Sequence, residues 1–132
     1  MARGPQPSLP LDAGQFDVLV ESALAGIPEE FKTHLANVTV VVEEEPSPAL
    51  LRRMGLDPRT DTLFGLYQGV PLPRRGHDYG NTLPDHITIF RGPLLRACRS
   101  AEELANQVRR TVVHEIAHFF GFDEHRIRRL GY

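Results

Sequence analysis

The chain has 132 residues, 41% of them apolar and 24% charged, with a formal net charge of −2. That describes one domain around one compact core, and neither a general nucleic-acid binder nor an acidic tail. The single cysteine, Cys98, excludes an intrachain disulfide framework, and no apolar run approaches the roughly 20 residues that span a bilayer.

Residues 1–11 carry Pro5, Pro7 and Pro10 and show no periodicity. They read as a mobile arm ahead of a single domain over residues 12–132. They also lack the apolar core of a secretory signal, so a cytoplasmic protein is expected. All basic residues except Lys32 are arginines, and no function follows from that.

From Asp12 the pattern turns helical. Phe16, Leu19, Val20, Ala23 and Leu24 form one apolar stripe, which Gly26 and Pro28 stop. Pro28-Glu29-Glu30-Phe31 starts a further turn ending near Leu35. The stretch Val38-Thr39-Val40-Val41-Val42 is β-branched throughout and predicts a strand, ended by Glu43-Glu44-Glu45-Pro46. Residues 46–61 read as loop, with at most a helical turn at Ala49–Met54. Thr62 to Val70 reads as a second strand, residues 71–84 as a polar loop, and His86 to Phe90 as a third strand.

Ser100-Ala101-Glu102-Glu103 fits a capping box, with Glu103 reaching back to the first backbone N–H. A helix is predicted from Ala101 to about Phe120, with Leu104, Val108, Val112, Ile116 and Phe120 on one core-facing stripe. Gly121 stands where a left-handed C-cap belongs, and Asp123 can cap a last short helix from Glu124 to about Leu130.

Inside the long helix lies His114-Glu115-Ile116-Ala117-His118, an H-E-x-x-H motif. Residues four apart stack on one helix face, so both imidazoles can point at one ion. Zinc accepts neutral imidazole nitrogen at about 2.0–2.1 Å, and catalytic sites keep one position open for water. Glu115, at the edge of the same face, can reach that water without ligating the metal, as a general base must.

Two histidines are too few for a zinc site. Downstream only Asp123, Glu124 and His125 can complete it. Asp123 has a capping task, and His125 would need a different turn. Glu124, six residues after His118, is therefore the expected third ligand. Upstream, His34, His77 and His86 are favoured by nothing in their spacing.

The run His114 to Gly121 resembles the H-E-x-x-H-x-x-G of zincin metallopeptidases, in which six residues is the offset of the third ligand after the second histidine. Glu124 stands where metzincins carry histidine or aspartate. Met1 and Met54 both precede the helix, so there is no Met-turn. A nearer resemblance, from about Asp12 to Tyr132, is to small bacterial zincin-like domains of unknown function. It rests on Val38–Pro46, Gly65–Leu72, Leu83–Thr88, Arg110–Gly121 and the tail Leu130-Gly131-Tyr132.

That resemblance implies an α+β fold of minimal zincin type: an N-terminal backing helix, a three-stranded mixed sheet, the motif helix and a short C-terminal helix. It implies Zn2+ held by His114, His118 and Glu124, and a metallopeptidase in which Glu115 is the catalytic base. The substrate would be a peptide or unfolded protein, pairing by strand addition with the strand Thr62–Gly69. Neither nucleic acid nor membrane is an expected partner. Phe119 and Phe120, beside the motif, serve either as core or as the surface of a homodimer. Tyr132 is expected to place its ring near His114 or His118.

Two other readings compete. The segment His118 to His125 is similar, with one inserted residue, to the H-x-x-x-H-x-x-G-Y-D-H of metal-dependent endoribonucleases of ribosomal-RNA maturation. In the other, the scaffold survives without chemistry and the domain is a binding module.

Overall fold

The computed structural model describes residues 8–69 and 85–132. The expected loop 71–84 thus lies wholly outside the described residues, as do Val70 and most of the N-terminal arm. The described end of that arm is pinned. The Leu9 N–H donates to the Leu95 carbonyl, and the Leu11 carbonyl accepts from the Arg91 guanidinium at 2.6 Å.

Helix α1 (Ala13–Ala25) starts at Asp12 in a reciprocal box. The Asp12 side chain accepts from the Gln15 N–H, and the Gln15 side chain accepts from the Asp12 N–H. Its buried face is Phe16, Val20 and Ala23. The turn expected after Pro28 is a full short helix, α2 (Glu29–Leu35), which buries Phe31. Strand β1 (Thr39–Glu43) sits one residue later than its β-branched run. The helical turn after Pro46 is α3 (Pro48–Arg53), capped by Ser47.

The second strand, β2, is only Gly65–Gln68, shorter than the Thr62–Val70 expected from sequence. Its start is delayed by a turn in which the Asp61 carboxylate accepts the Asp57 N–H. Strand β3 (His86–Phe90) falls where predicted and is the most buried of the three. It lies at the centre of the sheet, in the order β1-β3-β2, parallel to β1 and antiparallel to β2. The sheet is therefore mixed, and β1 and β2 are its edges.

No element is assigned from sequence to residues 91–97. The structure makes them helix α4 (Arg91–Ala97). Pro93 sits in the first turn, where a missing N–H costs no helical bond. Two ion pairs tie this region to the acidic end of β1: Arg91 with Glu44, and Arg96 with Glu45 through two hydrogen bonds. The Arg96 guanidinium holds the Glu45 carboxyl below its ordinary value, and Glu45 raises that of Arg96. Cys98 is buried, and burial pushes its thiol up.

The motif helix is α5 (Ala101–Phe120), with Ser100 accepting the Glu103 N–H. The returning arm of the box differs from expectation: the Glu103 carboxylate takes the Arg99 N–H instead of that of Ser100. Leu104, Val108, Val112, Val113, Ile116 and Ala117 are buried. Phe120 is not; it is 41% exposed. Positions spaced by four advance about 40° beyond a full circle at each step, so a row begun at Leu104 has left the core by residue 120. The real stripe mixes spacings of three and four.

Helix α5 packs against β2 and β3, and α1 packs alongside α5. Val20 and Leu24 of α1 share a groove with Val40 and Val42 of β1, so both long helices cover one face of the sheet. The last helix, α6 (Glu124–Arg129), buries Ile127. This is the expected α+β arrangement of backing helix, three-stranded mixed sheet, motif helix and closing helix. No described helix is long and apolar enough to cross a membrane.

Candidate metal centre

His114, Glu115 and His118 all project from the last two turns of α5. The two imidazole rings lie 5.9 Å apart, tilted by 66°. The helix then stops at Gly121, which has φ 78° and sends its N–H to the Ala117 carbonyl. This left-handed conformation is strained for any residue with a Cβ. The Phe122 N–H bonds the same carbonyl at 2.8 Å, which completes the reversal. Asp123 then accepts the Arg126 N–H at 2.7 Å and starts α6, so Glu124 is the first residue of the new helix.

This reversal brings Glu124 back over the end of α5. Its Oε1 lies 3.3 Å from His118 Nε2. One ligand atom from each of His114, His118 and Glu124 falls within 4.8 Å of the other two. A tetrahedral zinc with bonds of about 2.0–2.2 Å separates its donors by about 3.3–3.6 Å. The His118–Glu124 pair already stands at that spacing. Two imidazoles and one carboxylate with a fourth position open is a donor set of catalytic zinc, so the residues present fit the ion.

The other candidates lie elsewhere. Asp123 is occupied as the cap of α6. His125, on which the ribonuclease-like register depends, is exposed and is not part of the donor group. His34 stacks on Phe120 at 4.2 Å, and His86 Nε2 lies 2.8 Å from Gln68 Oε1. His77 is outside the described residues.

Glu115 has a partner that sequence reasoning missed. Its Oε1 accepts the backbone N–H of Tyr67, in edge strand β2, at 2.8 Å. The Tyr67 hydroxyl donates to Asp85, and the Tyr67 ring stacks on Phe119 with centroids 4.0 Å apart. The signal was weak: Gly65-Leu66-Tyr67-Gln68-Gly69 reads as a strand with small ends, and nothing in it names a helix partner. Phe119 and Phe120 are each 41% exposed, so they are surface and not core.

The position expected for Tyr132 is corrected. Its N–H bonds the Ile127 carbonyl, and it packs against the edge of the core. Among the described residues its ring meets neither His114 nor His118.

Comparison with known proteins agrees with this layout. The chain superposes on a conserved hypothetical protein from Thermo thermophilus with a TM-score of 0.54. The two are 24% identical, over 83% of this chain and 94% of that one, a likeness of fold. No curated protein matches the chain. The profile of the zincin-like metallopeptidases matches residues 35–132, a stretch that takes in all three strands, the motif helix and the closing turn. The chain belongs to the zincin-like metallopeptidase family.

Proposed function

We propose that this domain is a zinc-dependent peptidase acting on peptides or unfolded protein, with His114, His118 and Glu124 as metal ligands and Glu115 as general base. The observation that carries the reading is the approach of Glu124 to His118 across the Gly121 turn. When bound, the zinc would supply a Lewis acid that polarises a peptide carbonyl and acidifies water.

The chain's own residues do the rest. The two imidazoles and the Glu124 carboxylate, of which His118 and Glu124 are exposed, would hold the ion. Glu115 takes a proton at a carboxylate oxygen and returns it to the leaving amine. Its other oxygen is engaged by the Tyr67 N–H. That bond modifies the expected strand addition, because a peptide pairing with β2 meets a donor that is already in use.

The test is zinc stoichiometry together with peptide cleavage. Wild-type protein should bind one zinc per chain and cleave unstructured peptides. Glu115→Gln should keep zinc and thermal stability and lose cleavage, because it leaves all three ligands in place. Equal cleavage by both proteins would remove the peptidase reading. The exposed Phe119 and Phe120 favour a second reading, a zincin scaffold that binds a partner without cutting it. Failure to bind zinc would leave that reading standing.

A further inference from the structure

Strand β2 and helix α5 run side by side in matched steps. Gly65, Tyr67 and Gly69, two residues apart on the strand segment, meet Thr111, Glu115 and Phe119, four apart on the helix. A strand advances about 6.8 Å in two residues and a helix about 6 Å in four, so the register holds over three steps. At both ends the strand has no Cβ, and a Cβ would collide. One on Gly65 would lie 2.7 Å from Thr111 Cγ2 and 3.0 Å from the Thr88 carbonyl oxygen. One on Gly69 would lie 2.9 Å from the edges of both the Phe119 and the Tyr67 rings, where these two stack.

At the middle step the contact is polar. Leu66 and Gln68 stand opposite Thr88 and His86, and antiparallel alternation turns their N–H groups towards β3. The Tyr67 N–H therefore points away from the sheet, towards α5, where Glu115 receives it.

We infer that Tyr67 is a positioning residue for Glu115, acting through its backbone N–H, and that Gly65 and Gly69 let the strand come close enough to deliver it. The inference rests on the reading of Glu115 as the base. A glutamate on a helix surface has three free torsions. A donor from a side chain would share that freedom, whereas a backbone N–H is fixed by the ladder it belongs to. This one is braced further by the Tyr67 ring, stacked on Phe119, and by its hydroxyl on Asp85. One carboxylate oxygen is thus anchored and one is left for proton transfer. Hydrogen bonds to charged groups are strong enough that losing this one should cost about tenfold or more in any equilibrium that uses the placed carboxylate.

The first arm of the test is amide hydrogen exchange. The Tyr67 amide should be protected in wild type, exchange about tenfold faster or more in Glu115→Ala, and stay near the wild-type rate in Glu115→Gln, whose amide oxygen still accepts. Leu66 and Gln68 should not change. Fast exchange at Tyr67 in wild type, or unchanged exchange in Glu115→Ala, would overturn the inference.

The second arm reads the base in the zinc-loaded protein, with acetohydroxamic acid as probe, since its acidic proton needs an acceptor beside the ion. Replacing Tyr67 by its α-hydroxy acid turns the N–H into an ester oxygen and keeps the ring. Acetohydroxamate should then bind about tenfold more weakly while zinc affinity stays within threefold. Gly65→Ala, whose Cβ would press on Thr111 and on the Thr88 carbonyl while the Tyr67 N–H is kept, should move the probe's affinity in the same direction. Unchanged acetohydroxamate affinity in both variants would also overturn the inference. If zinc-loaded wild type binds no acetohydroxamate, the peptidase reading fails by itself, and the exchange arm still decides whether the strand holds the carboxylate.

Discussion

Glu115 and Glu124, the two glutamates at the motif end of α5, sit in unlike surroundings. Glu115 stands on the seam between α5 and β2, half-buried, with a backbone donor from the sheet on one oxygen. Glu124 opens a short helix, has a side chain 61% exposed, and is paired among the described residues with His118. Core packing builds the first half of the site. A turn and a cap close the second. Damage to the seam should therefore appear as lost fold stability, and damage to the turn as lost metal.

The largest effect should come from removing what both halves share. His118→Ala should abolish zinc binding, read by calorimetry, while the thermal midpoint of the metal-free protein barely moves, because His118 is exposed and outside the core. A large drop in that midpoint would mean that the two halves are not separable.

Gly65→Val attacks the seam. Its Cβ meets Thr111 and the Thr88 carbonyl, and overpacking of this kind costs about 1–3 kcal/mol in urea unfolding. Metal affinity should fall much less than stability. Asp123→Ala attacks the turn. Loss of the cap costs about 0.5–2 kcal/mol, and zinc should bind more weakly while the Tyr67 amide stays protected.

The smallest effect lies far from both halves, at Glu45 and Arg96. The folded state favours the charged carboxylate, so this pair's contribution is complete above the ordinary carboxylate range and is lost as pH falls through the lower folded value. Both side chains are about half exposed, so Glu45→Gln should remove at most about 1 kcal/mol at neutral pH. A pH titration of stability should show that increment vanish in acid, with the metal site untouched.

The turn half was far more legible in the sequence than the seam half. Ser100, Gly121 and Asp123 each act locally, through one side chain or one backbone angle, so the bounds of α5 and the start of α6 could be read directly. The group His114, His118 and Glu124 follows from helix spacing plus that local turn. The Tyr67–Glu115 bond joins residues 48 apart and depends on how β2 lies on α5, which no local pattern encodes. Helix α4 received no assignment from sequence: it is only seven residues long, and its Pro93 lies in the first turn, where proline is harmless. The placement of Phe120 failed because a row of fours drifts around the helix.

The turn between α5 and α6 meets its own backbone needs. Gly121 and Phe122 cap the carbonyl of Ala117, Asp123 caps the next helix, and Ile127 seats that helix in the core. None of these bonds requires an ion. A zinc ion bound here would be a guest of a folded domain, unlike the ion of a zinc finger, whose binding energy is its folding energy. Thermodynamic linkage sets what the guest adds: about 2.7 kcal/mol at a free concentration a hundredfold above its dissociation constant, and nothing in its absence. Chelation should strip the site and leave the domain standing, and metal-free and metal-loaded forms should then share one fold, read as equal far-ultraviolet circular dichroism with and without chelator.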